Sequence, residues 1–449
     1  MNILVISRRR HFKIRDNFIR KLYPNENIIH CSDEKGLSGF EIDSIWWNDF
    51  KSTELNLKLE INYVDIIKRC RFLRELKNEK SISLINEAIN KWNNIITKEK
   101  IDLIYCLPID SYVFHTLYLV ANKRKIHFFS TVGTFINNRI RITNFGELVF
   151  NSNYSSNNDF IKLFINNVRE RAIRPEWLIG LNSSPFKTSL NRYFIDILKP
   201  PFFWLYRQIS RDRNSFSFPN KKLYKKRMFS SFKRFLWANK VEKNAVKIKD
   251  VKYDYIFIPL QFYPEITSDY WNRDLSLINH HKMVLNIVKK LPNKLFIVKE
   301  HPASFGRRDE SFLKELTKCE NVKFASLLSD INSWLKKAEI IIGNASTTTI
   351  NAIILKKPVL FFSKPYFGSK KNNFLTNVNQ LLKNISNLEE LTYEEEEIYQ
   401  LLDSLLKASS RGSLGGYQPL GEQNNSNSIN IDEDFKIYLK NYLINLYAE

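Results

Sequence analysis

Three short apolar runs, at residues 295–298, 339–342 and 358–362, predict parallel strands, because amphipathic helical patterns separate them. Polar residues follow the first two runs directly. Ligands of open α/β sheets bind beyond the carboxyl ends of the strands, where a helix N-terminus offers N–H groups to a phosphate. The sequence therefore predicts a site for a phosphorylated small molecule. Its candidate residues are Lys299, His301, Pro302, Asn344, Ser346, Thr347 and Thr348.

The same alternation of strands and helices begins near residue 253, where YDYIFIPL opens a pattern of five strands and four intervening helices. This pattern predicts a complete doubly wound domain, which we place at residues 251–408. Gln261 and Glu265 follow its first strand. They are expected to face the same cleft, with an ordinary loop as the alternative.

The first half of the chain predicts a second Rossmann-like domain, at residues 1–180. Apolar runs at 2–6, 27–31, 101–107 and 126–129 alternate with helical patterns. No GxGxxG follows the first run, so neither NAD nor FAD is expected. The fold class is therefore α/β with two Rossmann-like domains facing a cleft. Residues 181–250 are expected to form a basic, aromatic helical linker, and residues 409–449 a loose segment and a C-terminal helix.

Charge and cysteine content restrict the partners and the compartment. The formal net charge is +22, which indicates an anionic partner. The four cysteines are widely spaced and include no CxxC pair, which argues against a zinc site or a disulfide framework and fits a reducing cytosol. The sequence contains no run of about 18 apolar residues, so no membrane span is expected. We therefore expect a cytoplasmic protein, soluble or peripheral to the membrane.

Four short motifs carry a family resemblance. They are PLQ at 259–261, VKEHP at 298–302, GNASTT at 343–348 and KPV at 357–359. Together they resemble the bacterial capsular polysaccharide biosynthesis family of GT-B glycosyltransferases. That family includes Kdo transferases, and it is similar in these motifs to bacterial sialyl- and polysialyltransferases and to the CDP-glycerol polymerases of teichoic acid synthesis. The resemblance covers residues 253–367, and a second, weaker resemblance lies at 139–147.

The resemblance implies roles for the candidate residues. His301 and Pro302 would contact the donor's phosphate or ribose, and Ser346, Thr347 and Thr348 would hold the phosphate. Hydroxyls, N–H groups and a histidine can stabilise a leaving nucleoside phosphate, so neither a metal nor a cofactor other than the nucleotide-sugar donor is expected. The chain has Asn351 where the family commonly has a ribose-binding glutamate. The resemblance therefore does not specify which nucleotide the donor carries.

A catalytic base is expected in the N-terminal half, because an inverting transferase must deprotonate the acceptor hydroxyl. Asp110 follows the run at 101–107 at its carboxyl end. Asp33 and Glu34 stand before Lys35-Gly36, close to the acidic pair and glycine of polysialyltransferase-like enzymes. The alternative for each acid is a helix N-cap or a solvated turn. In a retaining enzyme the carboxylate would act as the nucleophile.

Residues 187–250 combine 17 Lys and Arg with four acidic residues and many aromatic residues. One interpretation is a surface that binds anionic lipid headgroups, with Trp204 and Trp237 at the interface. A nucleic-acid patch is a second interpretation, but no nucleic-acid motif accompanies it. The third is an interdomain helical hairpin with snorkelling Lys and Arg. We favour the membrane surface and expect no nucleic-acid partner.

Together these features predict a cytoplasmic, membrane-peripheral glycosyltransferase of capsule or lipopolysaccharide synthesis. The expected donor is CMP-Kdo or CMP-sialic acid, and the expected acceptor is a glycan or glycolipid. A CDP-glycerol-type transferase and a UDP-sugar transferase are alternatives within the family. A sugar-nucleotide epimerase of the same fold and a non-catalytic protein that binds anionic glycan or nucleic acid are alternatives of other classes.

Overall fold

The computed structural model describes most of the chain. The described residues are 1–8, 12–33, 44–47, 59–136, 138–151, 154, 156–173, 184–210, 221–262, 265–271, 275, 278–362, 365, 367, 387–413, 430–431 and 433–445. The helices and strands counted below are those formed by these residues.

Thirteen strands are described, and they form two sheets. They are β1 (Asn2–Ile6), β2 (Asn27–Ser32), β3 (Ser44–Trp46), β4 (Leu103–Cys106), β5 (His127–Gly133), β6 (Arg139–Ile142), β7 (Ile256–Pro259), β8 (Phe296–Lys299), β9 (Val322–Ala325), β10 (Ile340–Gly343), β11 (Val359–Phe361), β12 (Ser410–Ser413) and β13 (Asn430–Ile431).

Fourteen α-helices accompany them. They are α1 (Phe12–Leu22), α2 (Tyr63–Arg69), α3 (Asn78–Lys98), α4 (Tyr112–Lys123), α5 (Asn158–Glu170), α6 (Pro185–Ser210), α7 (Lys221–Lys243), α8 (Ile266–Asp269), α9 (His280–Lys290), α10 (Glu310–Thr317), α11 (Ile331–Lys337), α12 (Thr347–Ile354), α13 (Glu395–Lys407) and α14 (Glu433–Asn445). None of these helices is long and apolar enough to cross a bilayer.

Both sheets have the strand order of a Rossmann fold. In the N-terminal sheet, parallel strands run in the order β5-β4-β1-β2-β3, and antiparallel β6, β12 and β13 extend the β5 edge. The C-terminal sheet is entirely parallel, in the order β11-β10-β7-β8-β9. Strands β4, β8 and β10 are buried along their whole length, as expected for parallel strands covered by helices on both faces. The expectation of an α/β fold with two Rossmann-like domains is confirmed.

The chain crosses between the domains before the boundary predicted at residue 180. Helix α5 packs its apolar face, which includes Ile161 and Val168, into the core of the C-terminal sheet. Asn332 donates a hydrogen bond to the carbonyl oxygen of Val168 (3.1 Å), and Arg169 donates one to that of Ile354 (3.1 Å). Helix α5 therefore lies within residues 1–180 but belongs to the C-terminal core.

The end of the chain returns to the N-terminal domain. We expected a loose segment after residue 408, and this prediction is wrong for Ser410–Ser413, which pairs with β6 as strand β12. The polar sequence SRGS gives no local indication of a strand, because its pairing partner is far away in the chain. Helix α14 lies within the same predicted segment, and its residues Phe435 and Tyr438 are buried in the N-terminal core.

A short segment of the C-terminal half fastens the two domains together. The buried carboxylate of Asp269 accepts hydrogen bonds from Arg71 (2.5 Å) and Arg74 (3.1 Å) of the N-terminal domain. Next to it, Tyr270 is buried in the N-terminal core. Because a buried carboxylate with two arginine partners is costly to separate, this contact fixes the N-terminal domain beside the loop that follows β7.

Candidate functional site

The C-terminal candidate residues lie at the switch point of their sheet, where chain order reverses on either side of β7. Gln261 follows β7, Asn344 follows β10, and their buried amide side chains are joined by a hydrogen bond. The crevice at such a point is where open α/β sheets bind their ligands. The structure therefore brings together two residues that the sequence had only placed after separate strands.

Gly343 allows the next helix to approach this point. A Cβ atom at this residue would lie 3.0 Å from Thr349 Cγ2 and 3.3 Å from Pro259 Cγ. Any other side chain would therefore push α12 away from the end of β7. The glycine sets the close packing of the helix N-terminus against the switch point.

A capping box starts helix α12. The Ser346 hydroxyl accepts a hydrogen bond from the backbone N–H of Thr349 (3.4 Å), and the Thr349 hydroxyl accepts one from the N–H of Ser346 (3.0 Å). Thr347 and Thr348 are partly exposed in the first turn, which contains no acidic residue. The Ser346 hydroxyl thus caps the helix, while the helix N-terminus and the two threonines suit an anion.

His301 is a neutral hydrogen-bond donor in this setting. Its Nδ1 accepts a hydrogen bond from the backbone N–H of Ala303 (3.1 Å), so the ring proton lies on Nε2. Burial, with Arg308 and Arg192 nearby, lowers the pKa of His301 to about 3. An Nε2–H group can donate to a phosphate or ribose oxygen throughout the neutral pH range.

A buried ion pair supports the His301 loop. Arg308 is paired with the carboxylate of Glu300 (2.5 Å) and donates to the carbonyl oxygen of Gln261 (2.6 Å). Glu300 in turn accepts the backbone N–H of His301 (2.7 Å). The pair therefore ties the loops after β7 and β8 to each other. Sequence analysis did not identify Arg308, because its link to Glu300 is formed only by a turn of the folded chain.

The other predicted donor residues have structural contacts. The amine of Lys299 donates to the carbonyl oxygens of Ser326 (2.5 Å) and Leu327 (2.8 Å), so the geometry does not support its predicted contact with the donor. Glu265 is the N-cap of α8, and burial raises its pKa. Pro302 starts a 3₁₀ turn, and its carbonyl oxygen accepts a hydrogen bond from Arg192 of α6 (2.8 Å).

The N-terminal switch point, between β1 and β4, holds a cluster of charged residues. Arg8 donates to Asp110 (2.5 and 3.0 Å) and to Asp33 (2.9 Å), and both carboxylates are largely buried. The structure therefore joins two of the predicted catalytic acids, whereas the third, Glu34, lies outside the described residues.

Arg8 is the residue of this cluster that sequence analysis missed. Burial opposes its charge, yet Asp110 and Asp33 together raise the pKa of Arg8 well above its ordinary value. The available signal was the run Ser7-Arg8-Arg9-Arg10 directly after the first strand. Its function became visible only when the ends of β1, β2 and β4 were brought together.

Three buried histidines should make the stability of the native state sensitive to acid. Burial lowers the pKa of His115 to about 4 and the pKa values of His281 and His301 to about 3. Below pH 6.5 the unfolded chain binds protons that the native state does not, so stability must fall as the pH decreases. Each histidine contributes up to about 1.4 kcal/mol to this loss of stability for each pH unit.

We therefore expect the free energy of unfolding, measured with urea, to decrease steeply between pH 6.5 and 5, before most carboxylates titrate. The variant His301→Gln serves as control. It should reduce the slope of the free energy of unfolding against pH by the amount that corresponds to the uptake of one proton. A free energy of unfolding that stays constant over this range would contradict the prediction.

Two Rossmann-like domains that each carry their candidate residues at a switch point define the protein as a member of the GT-B class. Residues 208–384 match the model of a family described as capsule polysaccharide biosynthesis protein. The matched residues include the His-Pro and Ser/Thr motifs, so this comparison agrees with the predicted resemblance to the capsule polysaccharide biosynthesis family. No curated protein matches the sequence significantly.

Solved structures with a similar chain course include three bacterial proteins. KpsC, a beta Kdo 2,7 transferase from Thermosulfurimonas dismutans, is 10% identical over 90% of this chain and 99% of its own, with a TM-score of 0.34. A UDP-N-acetylglucosamine 2-epimerase from Rickettsia bellii is 14% identical (99% and 96%, TM-score 0.31). A glycosyltransferase from Rickettsia africae is 12% identical (99% and 97%, TM-score 0.28). Similarity this weak supports no conclusion about activity.

Proposed function

We propose that the protein is a glycosyltransferase of bacterial surface polysaccharide synthesis, which moves a sugar from a nucleotide donor to a glycan or glycolipid acceptor. The observation that carries the proposal is the placement of candidate residues at both switch points. The C-terminal one presents a helix N-terminus and a neutral histidine, which suit a phosphate. The N-terminal one presents two carboxylates, those of Asp33 and Asp110, and a carboxylate suits proton removal from an acceptor.

The C-terminal residues can stabilise the leaving nucleoside phosphate. Negative charge develops on the phosphate as the bond to the sugar breaks, and fixed donors aimed at it lower the barrier. In this site the donors are the first-turn N–H groups of α12, the hydroxyls of Thr347 and Thr348, and Nε2–H of His301. The Glu300–Arg308 pair holds the histidine loop in place, so these donors need little reorganisation during the reaction.

Phe262 is suited to contact the base of the donor. Its ring centroid lies 5.8 Å from that of His301, and 38% of the residue is exposed next to a largely buried loop. An exposed aromatic face beside a phosphate site can stack on a nucleobase without selecting one base over another. The choice among CMP, CDP and UDP donors therefore depends on other contacts.

We propose a CMP-linked acidic sugar, Kdo or a sialic acid, as the donor, with CDP-glycerol and UDP-sugar donors as alternatives. The motif resemblance and the net charge of +22 support an acidic substrate. Asn351, which replaces the family's glutamate, is fully buried, and its side-chain oxygen accepts the backbone N–H of Ile173 (3.3 Å). Ribose recognition in this protein must therefore come from a different residue.

Arg15 supports an anionic acceptor on the N-terminal side. Its guanidinium stacks 3.7 Å above the ring centroid of Tyr105 near the carboxyl end of β4, and only 4% of the residue is exposed. Its Nε and Nη2 have no hydrogen-bond partner in the described part of the chain. Burial of these two nitrogens without hydrogen bonds is costly, and a carboxylate or phosphate of the acceptor that accepted hydrogen bonds from them would offset that cost.

For the base we propose Asp110, with Asp33 and Arg8 as positioning residues. Asp110 retains 14% of its side-chain exposure, whereas Asp33 retains 3%, so Asp110 is better placed to reach an acceptor hydroxyl. Arg8 is bonded to both carboxylates, so it holds Asp110 and Asp33 side by side at the switch point.

A thermal-shift screen against CMP, CDP, UDP, GDP and ADP tests the proposed function. A ligand that binds only the native state raises the melting temperature, by an amount that corresponds to about 2.7 kcal/mol at a hundred times its Kd. We expect the largest shift with CMP and no shift with cytidine, the control that lacks the phosphate.

A preference for CDP or UDP would support the proposed nucleotide site but would indicate a different donor. Conversion of a nucleotide sugar without any acceptor would identify an epimerase. No shift with any nucleotide at millimolar concentration would contradict the proposal and favour a non-catalytic binding protein.

A further inference from the structure

Helix α6 exposes a continuous apolar stripe. Its members recur at intervals of three or four residues, so at 100° per residue they fall within an arc of about 80° on one side of the helix. Between 51% and 73% of each of these residues is exposed to solvent. The stripe consists of Phe194, Leu198, Phe202, Leu205 and Ile209.

A second set of exposed apolar residues lies on helix α7, at Phe229, Phe232 and Leu236. The two helices form an antiparallel hairpin, because the ring of Tyr193 in α6 contacts those of Phe232 (5.9 Å) and Phe235 (5.6 Å) in α7. Tyr193, which makes these contacts, is not a member of the stripe. Exposed apolar area of this extent marks an interaction surface.

The charge of the hairpin indicates the partner. Helices α6 and α7 carry 13 Lys and Arg against two acidic residues, which leaves 11 positive charges in excess (13 − 2). An apolar stripe in a strongly basic segment has the composition of helices that lie in the interface of an anionic bilayer. A protein partner of ordinary composition would not require this excess of charge.

The base of the hairpin is fastened to the candidate donor site. Arg192 of α6 donates to the carbonyl oxygens of Pro302 (2.8 Å) and Phe305 (2.6 Å), in the loop that starts at His301. From α7, the carboxylate of Glu242 accepts the backbone N–H of Leu327 (3.0 Å). Any partner surface that binds the hairpin is therefore held at a fixed position relative to the candidate donor site.

We propose that α6 and α7 form a membrane-docking hairpin, which lies in the headgroup region of an anionic bilayer with the α6 stripe among the acyl chains. The inference rests on the proposed function only in the choice of a lipid-linked acceptor, which docking would bring to the donor site. A second copy of the chain is the other possible occupant of the stripe.

Vesicle flotation tests the proposal directly. We expect the full-length protein to bind phosphatidylcholine vesicles containing 30% phosphatidylglycerol about tenfold or more better than pure phosphatidylcholine vesicles, with binding weakened by 0.5 M NaCl. The variant L198S/F202S/I209S should lose at least about tenfold of this binding, because the apolar area that enters the bilayer is removed. The matched control is Leu163→Ser, which alters a residue of α5 with 59% exposure.

Two further measurements separate the possible outcomes. Circular dichroism and the nucleotide thermal shift should be unchanged in the triple variant, so loss of docking can be told apart from loss of the donor site. Equal binding by the wild-type protein and the triple variant would overturn the proposal. So would a dimer in solution that the triple variant dissociates while the wild-type protein ignores vesicles, since the stripe would then contact a second copy.

Discussion

Replacing Asp110 with asparagine should slow sugar transfer about 10²–10⁴-fold, while the protein stays folded and keeps its affinity for the donor nucleotide. Asparagine has the shape of aspartate but cannot take the proton of the acceptor hydroxyl. It also leaves Arg8 paired with Asp33 alone, so the two effects must be measured separately. The decisive readouts are the turnover rate and the Kd for the nucleotide, with thermal unfolding as the measure of stability.

Asp33→Asn is the matched control for this prediction. Asp33 binds the same guanidinium but is more deeply buried, so its replacement should lower stability and affect turnover less than Asp110→Asn does. A second control is Arg8→Met, which should lower stability strongly by leaving two buried carboxylates without their cation. Turnover of Asp110→Asn within threefold of the wild-type rate would show that the base is another residue.

Replacing His301 with alanine should weaken nucleotide binding about 10- to 100-fold, because a hydrogen bond to a charged phosphate contributes about 1.5–3 kcal/mol. The pKa of about 3 keeps the ring neutral, so the wild-type affinity should not change with the charge of His301 between pH 5.5 and 8. Isothermal titration with the nucleotide selected in the thermal-shift screen measures both the affinity and its pH dependence.

Two variants separate the donor site from its supporting structure. Thr347→Val removes a hydroxyl from the first turn of α12 but leaves the Ser346 capping box intact, so it should weaken binding without unfolding the helix. Lys299→Met removes an amine that bonds the loop after β9, so it should lower stability and leave the affinity unchanged. Unchanged affinity in both His301→Ala and Thr347→Val would refute the site.

Patterns within short segments were sufficient to predict most elements of both sheets. Runs such as the one at 295–298 are apolar at every position, because strands β7, β8 and β10 are covered on both faces. The residues just after a strand belong to the same segment as the strand. The sequence could therefore place His301, Asn344 and Asp110 at the carboxyl ends of their strands before any contact was known.

Contacts between distant residues could not be predicted in the same way. Strand β12 has a polar sequence and becomes a strand by pairing with β6 and β13, which are distant in the chain. Helix α5 is amphipathic and would fit either core, and its position was decided by Asn332 and Trp334 of the C-terminal domain. Local periodicity specifies which face of a helix is buried but carries no information about the surface that it meets.

The sequence by itself determined the two-domain α/β class, the family resemblance and the strand ends that carry the candidate residues, since each depends on neighbouring residues. Only the tertiary structure decided which of those residues act together. It joined Arg8 to Asp33 and Asp110 across as many as 102 positions of the chain, and it turned Lys299 away from the donor site. A side chain's direction and charged partners depend on the packing of several elements at once, which no single segment encodes.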